Sequence, residues 1–184
     1  MLNLNFIPFP IIETERLILR EIIDADLLEI FYQRSDPEMM QYVDRTPAHT
    51  HQDASEFIGR IQAALQTNEG ITWGISLKNE PKLIGNIGIW RIDKEHHRAE
   101  IGYVLHPEYQ SKGYASEALK AIIEYGFSVM KLHSLEANVN PLNIASIRLL
   151  ERNNFVKEAH FKENYYFDGK YLDSVIYSLL SPLK

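Results

Sequence analysis

The chain contains no cysteine, and this absence excludes several kinds of chemistry at once. Without thiols there is no disulfide, no thiolate nucleophile and no cysteine-ligated zinc or iron–sulfur centre. Any thiol in the reaction must therefore arrive with a cofactor. With 184 residues, of which 45% are apolar and 24% charged, the chain can bury a core as one domain without such links.

Long apolar runs and an excess of basic residues are also missing. No apolar run approaches the roughly 20 residues that a membrane span requires, and residues 1–10 lack the basic start and small-residue cleavage site of a signal peptide. The formal net charge of −6 argues against a broad nucleic-acid footprint. We expect a cytoplasmic protein, without membrane or direct nucleic-acid partners, in which an N-terminal extension (1–10) precedes a single domain (11–184).

Hydrophobic periodicity predicts strands and helices in a definite order. Strands are predicted at residues 16–20, 71–77, 82–92, 98–105, 134–140, 155–161 and 171–180, and the second to fourth of these are expected to form an antiparallel meander. Helices are predicted at residues 24–34, 53–67, 114–130 and 143–152, the last of them capped by Asn143. The stretch 36–50, which contains Pro37 and Pro47, is predicted to be a loop. The order βααβββαβαββ predicts an α/β (α+β) fold, with a mixed, mostly antiparallel sheet of seven strands and about four helices.

The segment between the strand 98–105 and the long helix has the properties of a phosphate-binding turn. Helix N-termini present free N–H groups and the positive end of the helix dipole, so they receive anions well. Gly113 allows a positive φ and a close approach of the backbone to a pyrophosphate, and Lys112 adds positive charge. The spacing alone is equally compatible with an ordinary tight turn between a strand and a helix.

Four segments together resemble one enzyme family. The first is Gln110-Ser111-Lys112-Gly113-Tyr114-Ala115, which is similar to the Q/R-x-x-G-x-G/A motif with which GCN5-related N-acetyltransferases (GNAT) bind the pyrophosphate of acetyl-CoA. Residues 14–20, 99–103 and 143–146 resemble, in the same order, the RimJ/RimL-like branch that acetylates ribosomal-protein N-termini at alanine. The resemblance covers roughly residues 11–180 and implies the GNAT fold, acetyl-CoA as cosubstrate and a primary amine as acceptor.

The same resemblance implies a set of cofactor-binding residues and no metal. The residues expected to contact acetyl-CoA are Tyr103, Val104, Leu105, Gln110, Ser111, Lys112, Gly113, Tyr114, Ala115, Ser116 and Asn143. One departure is that the family's Gly-Phe after the final helix is Asn154-Phe155 here. Asparagine also tolerates the left-handed conformation, so the turn is expected to persist.

Glu100 is the candidate general base. An ammonium has no lone pair, and an amine with a pKa of about 8–10 is largely protonated at neutral pH, so a base must remove its proton directly or through water. Glu100 lies one residue before the strand segment expected to line the acetyl site, and family members often carry a carboxylate there. The alternative is a solvated glutamate on an edge strand.

Ser146 is the candidate general acid. Many relatives place a tyrosine in the last helix to protonate the departing thiolate, but that position is Leu150 here, and the resembling branch places a serine at the position of Ser146. A hydroxyl can donate this proton; alternatively, Ser146 only bonds the backbone of its own first turn. By resemblance, a backbone N–H near Val104 or Leu105 is expected to stabilise the oxyanion.

Three functions remain open from the sequence. The leading one is acetylation of a protein N-terminal α-amine, possible partners being ribosomal proteins. The second is acetylation of a small amine, such as a polyamine, an amino sugar or an antibiotic, and the third is a non-catalytic acyl-CoA-binding module. The first two differ in the groove expected between residues 36–50 and 165–170. The sequence is compatible with a monomer or a homodimer.

Overall fold

The computed structural model describes residues 2–182, so Met1, Leu183 and Lys184, at the outer ends of the predicted ranges 1–10 and 11–184, lie outside it. Within residues 2–182, one sheet of eight strands is combined with five α-helices. The strands are β1 (Ile12–Glu13), β2 (Leu17–Glu21), β3 (Ile71–Leu77), β4 (Glu80–Asp93), β5 (Arg98–Leu105), β6 (Ser134–Val139), β7 (Val156–Phe167) and β8 (Lys170–Leu180). The helices are α1 (Leu27–Ser35), α2 (Pro37–Met40), α3 (His51–Gln66), α4 (Tyr114–Glu124) and α5 (Ile144–Arg152).

The sheet is mixed and mostly antiparallel, which confirms the predicted fold class. Its strand order is β1-β2-β3-β4-β5-β6-β8-β7. Strands β3, β4 and β5 form the predicted antiparallel meander, and β7 and β8 form a closing hairpin. Among the described strands, only β5 and β6 pair in parallel. That parallel junction positions the candidate site.

Two short elements escaped the sequence prediction. Strand β1 has two residues, paired with β2 through Ile12 and Leu19, which is too short to show a period. The prediction of a loop throughout 36–50 was wrong at its start, because Pro37 occupies the first position of α2. Proline is tolerated there, where its missing N–H has no helical partner. The Asp36 carboxylate caps this helix by accepting from the N–H groups of Glu38 and Met39, both at 3.0 Å.

Helices cover both sides of the sheet. A larger core cluster joins β2–β6 to α4 and α5 and includes the fully buried Trp73, Leu119 and Leu150. A smaller cluster, which includes Ile22, Ile58 and Leu83, lies under α1 and α3. The long helix predicted to reach residue 130 is regular only to Glu124 and continues as a wide π turn over Tyr125–Val129. None of the helices between residues 2 and 182 is long and apolar enough to cross a membrane.

Residues 2–10, which the sequence set apart as an extension, lie against the larger core cluster. Phe6 is fully buried, and Leu2, Leu4 and Phe9 pack beside that cluster. The indole Nε1 of Trp73 donates to the carbonyl of Pro10 at 2.7 Å. Burying a phenylalanine side chain contributes about 1.5–3 kcal/mol, so this segment stabilises the domain.

Candidate active site

Strands β5 and β6 pair for three residues and then separate. Their register joins Arg98 with Ser134 and Glu100 with Glu136, and no pair is formed beyond Glu100. Strand β5 continues to Leu105 with β4 on its other side, while β6 continues to Val139 paired with β8. The last five residues of β5 therefore have an open edge, along which alternate backbone N–H and C=O groups face away from β4.

The direction of each amide on this edge follows from two hydrogen bonds. His106 donates its N–H to the Ile84 carbonyl of β4 at 2.8 Å, whereas the Leu105 carbonyl accepts from the side-chain Nε2 of Gln110 at 3.0 Å. Because backbone groups alternate along a strand, the N–H groups of Tyr103 and Leu105 point to the open edge and that of Val104 points to β4. The open edge thus carries aligned donors.

The 110–116 turn leads from this edge into α4. Gly113 takes φ +84 as the residue before the helix, and Ser111 also has a positive φ of 59. No side chain among residues 2–182 caps α4, in contrast to Thr50 at α3 and Asn143 at α5. The first-turn N–H groups of α4 are therefore available to an anion.

Arg16, which lies between β1 and β2, holds this turn in place. Its Nη1 donates to the Lys112 carbonyl at 3.0 Å, and its Nε pairs with Glu117 of α4 at 2.7 Å. Thr14 donates to the same Glu117 carboxylate at 2.6 Å. A Cβ placed on Gly113 would lie 3.2 Å from Arg16 Nη2, so a larger residue would press on this contact.

These contacts also set the charge on Glu117. Burial raises the pKa of Glu117, but the hydrogen bonds from Thr14 and Arg16 outweigh burial and hold this pKa below its ordinary value. Glu117 is therefore ionised at neutral pH. The sequence marked residues 14–20 as a family resemblance without a role for them, because the partners Arg16 and Glu117 are 101 residues apart.

The other residues predicted around the turn are either exposed or in contact with neighbouring side chains. Lys112 is exposed, with its Nζ 5.5 Å from the centre of the Tyr109 ring. Tyr114 and Ala115 form the first turn of α4, and the Tyr114 ring lies 4.5 Å below the Arg16 guanidinium. Ser116 exchanges hydrogen bonds with the buried Asn153 at 3.3–3.4 Å, which ties α4 to the end of α5.

Glu100 lies at the point where β5 and β6 separate. Its carboxylate accepts from the Trp90 indole Nε1 at 3.1 Å and from Arg91 Nη1 at 2.7 Å. The Glu100 side chain is 13% exposed and that of Arg91 is 68% exposed. Glu100 is thus a largely buried, oriented carboxylate rather than a freely solvated one.

Tyr103 and Ser146 meet across the open edge. The Tyr103 hydroxyl and Ser146 Oγ are 2.8 Å apart, and burial raises the pKa of Tyr103 to about 12 although the bond to Ser146 opposes this. Asn143 caps α5, as predicted, by accepting from the Ser146 N–H at 3.0 Å. The Ser146 hydroxyl is therefore bonded across to β5 and not to its own first turn. Leu150 of the same helix is fully buried.

Glu100 and Tyr103 lie on opposite faces of the sheet, because successive side chains of a strand alternate. Glu100 shares its face with Gly102, over which the Trp90 ring lies so closely that a Cβ there would be 2.5 Å from the indole. Tyr103 shares its face with Ile101 and Leu105 of the larger core cluster. At the open edge of β5, a group bound on one face of the sheet can contact a group bound on the other face.

A cavity of about 730 Å³ adjoins the face that carries Glu100. We call it the acceptor cavity. Its walls come from α1, α3, the loop after α2 and strands β3–β7, and include Tyr42, Asp44, Thr72, Asn86, Trp90, Glu100, Val104, Asn138, Asn140 and Tyr165. The Tyr165 hydroxyl donates to the Asp44 carboxylate, which joins the β7–β8 hairpin to that loop across the cavity.

Four aromatic side chains of the sheet differ in their positions relative to this cavity. Trp90 and Tyr165 line the acceptor cavity, whereas Trp73 is fully buried in the core. Tyr166 is 64% exposed and contacts the ring of Tyr171 on the hairpin. Between residues 2 and 182, no three His, Asp or Glu side chains come together as metal ligands.

The chain matches the model of the acetyltransferase (GNAT) domain family over residues 16–156. It is 38% identical to the uncharacterized N-acetyltransferase YoaA of Bacillus subtilis over 174 residues, which cover 95% of this chain and 98% of YoaA. It is 31% identical to the spermidine N(1)-acetyltransferase of Vibrio cholerae over 94 residues, 51% of this chain and 54% of that protein. Among solved structures, the ribosomal-protein-S5-alanine acetyltransferase of Vibrio fischeri superposes with a TM-score of 0.83 at 25% identity, covering 95% of this chain and 98% of the other.

Proposed function

The chain belongs to the GNAT acetyltransferase family and is an N-acetyltransferase, and from this premise we propose that it acetylates the α-amine of a protein N-terminus with acetyl-CoA. The acetylation would proceed by direct transfer while both substrates are bound. Acetyl-CoA and newly made N-termini meet in the cytoplasm, which is the compartment that this proposal requires. Family membership favours an enzyme over a non-catalytic acyl-CoA-binding module.

The 110–116 turn would hold the diphosphate of acetyl-CoA. Three properties support this: the uncapped start of α4, the positive φ of Gly113 and the position of Lys112 beside the same amides. Solved GNAT structures in complex with coenzyme A share this fold. Asn143, at the opposite side of the open edge, would contact the pantetheine arm. The cosubstrate supplies a thioester carbonyl, which the amine attacks.

The open edge of β5 would polarise that carbonyl. An oriented N–H in a site that excludes water stabilises developing negative charge on oxygen, and removal of one such donor typically costs 10²- to 10³-fold in kcat. The alternation of backbone groups supports the Leu105 amide, rather than that of Val104, as the donor. Gln110 supports the same strand end by donating to the Leu105 carbonyl at 3.0 Å.

Glu100 would accept the proton of the acceptor ammonium, directly or through water. Its position on the wall of the acceptor cavity and its orientation by Trp90 support this role. Arg91 Nη1 donates to the same carboxylate at 2.7 Å and so helps to fix its orientation at the cavity wall. A carboxylate held in this way can receive a proton from a bound ammonium.

Ser146 would protonate the departing thiolate, with Tyr103 replenishing its proton. The 2.8 Å contact between the two hydroxyls supports such a relay. Burial keeps Tyr103 protonated well above neutral pH, with a pKa of about 12, so it can donate under all ordinary conditions. Leu150 has no proton to give, which leaves this pair to do the work that a tyrosine of the last helix does in many relatives.

The side chains that line the acceptor cavity favour a peptide over a polyamine as the acceptor. Among the described residues that line it, only Asp44 and Glu100 are acidic, and both are engaged, by Tyr165 and by Arg91. A polyamine needs free carboxylates for its several ammonium groups. The side-chain amides of Asn86, Asn138, Asn140 and Asn164 instead offer donors and acceptors suited to a peptide backbone.

An acceptor panel tests the proposal. The purified protein is incubated with acetyl-CoA and either a peptide with a free α-amine, the same peptide with a blocked α-amine, or spermidine, and the released thiol is measured. We expect release only with the free peptide. Release with spermidine but with no peptide would identify the small-amine alternative.

A further inference from the structure

Three arginines converge beside the acceptor cavity. Arg34 lies 4.5 Å from the centre of the Phe57 ring and Arg60 lies 5.9 Å from it. With Arg45 they line a second depression of about 380 Å³, whose other walls are Thr46, Pro47, Ala48, Asp53, Glu56 and Phe57. The three arginines and Phe57 also line the acceptor cavity, so the two spaces adjoin.

These arginines have no anionic partner within the described chain. Across residues 2–182, none of the three guanidinium groups lies within 4.0 Å of a carboxylate. Within the described part of the chain, Arg34 Nε is buried without a hydrogen-bond partner, and Nη2 donates only to the Thr46 carbonyl, at 3.3 Å. Buried polar groups in folded proteins are nearly always hydrogen-bonded, so we expect a ligand to accept from the unpaired Nε of Arg34.

The two nearby carboxylates accept hydrogen bonds from groups other than these arginines. Asp53 accepts from the backbone N–H groups of His49 and Thr50, both at 2.8 Å, and so fixes the start of α3. Glu56 accepts from Gln52 one turn earlier on the same helix, at 3.3 Å. The depression is therefore lined by three unpaired positive charges and two carboxylates that other groups already hold.

This arrangement is unfavourable until an anion enters it. Burial and the positive charges of Arg45 and Arg60 lower the pKa of Arg34, and the negative charge of Asp53 opposes this lowering without cancelling it. A carboxylate would relieve both the desolvation and the mutual repulsion, because guanidinium groups bind carboxylates through two parallel hydrogen bonds. The ring of Phe57 keeps the Arg34 and Arg60 planes in position for such bonds.

We propose that Arg34, Arg45 and Arg60 form an anion subsite that binds a carboxylate of the acceptor, so that the enzyme selects N-termini followed by an acidic residue. This inference rests on the proposed function, since it assumes a peptide acceptor. A phosphate of coenzyme A is the other anion in the reaction. However, no residue of the 110–116 turn lines either space, whereas the depression that holds the three arginines shares four lining residues with the acceptor cavity.

The test compares two peptides that differ only by glutamate or glutamine within the first few residues after a free α-amine. We expect kcat/KM to be at least about tenfold higher for the acidic peptide, the size of one charge-assisted hydrogen bond. The variants Arg45→Gln and Arg60→Gln, both exposed positions, should each reduce this preference, and the double variant should abolish it. Lys94→Gln, an exposed cation in the β4–β5 turn that lines neither space, makes the same change in net charge and should preserve it.

Binding of the N-acetylated peptides, measured by calorimetry, separates this inference from the proposed function. Equal affinity and equal turnover for both peptides in the wild-type protein would overturn the anion subsite and leave peptide acetylation intact. Selective binding of the acidic peptide without thiol release would keep the subsite and refute peptide acetylation. A raised KM for acetyl-CoA in Arg45→Gln, with the peptide preference unchanged, would assign the arginines to the cosubstrate and overturn the proposal.

Discussion

The hydroxyl groups of Tyr103 and Ser146 lie 2.8 Å apart and join β5 to the first turn of α5 where the neighbouring strands have separated. One residue was predicted as a cofactor contact and the other as a proton donor. Their hydrogen bond makes them one unit that links β5 to α5. The first prediction follows from this pairing.

Ser146→Ala should lower kcat by about 10²-fold, the usual size of a general acid's contribution, with little change in acetyl-CoA affinity. Tyr103→Phe should have a smaller effect in the same direction, because the serine hydroxyl can still be protonated by water. Single-turnover thiol release and calorimetry measure the two quantities. Wild-type turnover in Ser146→Ala would remove the acid assignment.

Gly113→Val should weaken acetyl-CoA binding at least about tenfold. A β-branched residue at φ +84 is strained by about 1–3 kcal/mol, and its Cβ would press on Arg16 beside the turn. Gly169, in the β7–β8 turn, has a similar φ of +77, and a Cβ added there would meet nothing within 4 Å. Gly169→Val therefore carries the same backbone strain away from the site and should bind acetyl-CoA normally. An unchanged Kd in Gly113→Val would contradict the phosphate-binding role of the turn.

Glu100→Gln should reduce turnover by about 10²-fold, and most strongly at lower pH, where more of the acceptor amine is protonated and needs a base. The pH dependence of kcat/KM for the amine measures this. Glu95→Gln, an exposed carboxylate in the β4–β5 turn, is the matched control. A loss of equal size at every pH would indicate a structural role for Glu100.

Glu117 should contribute stability that depends on pH. Its folded pKa lies below its ordinary value of about 4.3, so the folded state binds this proton less readily than the unfolded chain. The contribution is therefore complete above about pH 4.3 and is lost as the pH falls through the lower folded value. Glu117→Gln should remove this part of the acid sensitivity of Tm. Parallel Tm curves for the variant and the wild type below pH 4.3 would contradict the assignment.

Local features of the sequence predicted much of the fold. The turn glycine Gly113 and the left-handed Asn154, with φ 67, act through their own backbone, and Asn143 acts through a side-chain cap three residues from its partner. All three were identified from sequence. Alternation of apolar residues predicted the meander. These elements depend on neighbours a few residues away, which a pattern in the sequence records.

What the sequence did not predict depends on contacts between distant segments. Arg16 meets Glu117 across 101 residues, and the three arginines of the anion subsite come from α1, the loop after α2 and α3. None of these cations is unusual in its local sequence. The roles of the three subsite arginines arise only from the absence of a carboxylate near each guanidinium in the described chain, which no local pattern reveals.

The most direct test of peptide acetylation uses a peptide with a free α-amine, an acidic residue close behind it and an internal lysine. After incubation with acetyl-CoA and the enzyme, tandem mass spectrometry locates the acetyl group. We expect acetyl on the α-amine, with one thiol released for each group transferred. Acetyl on the lysine alone, or no acetylated peptide while spermidine is acetylated, would contradict N-terminal acetylation.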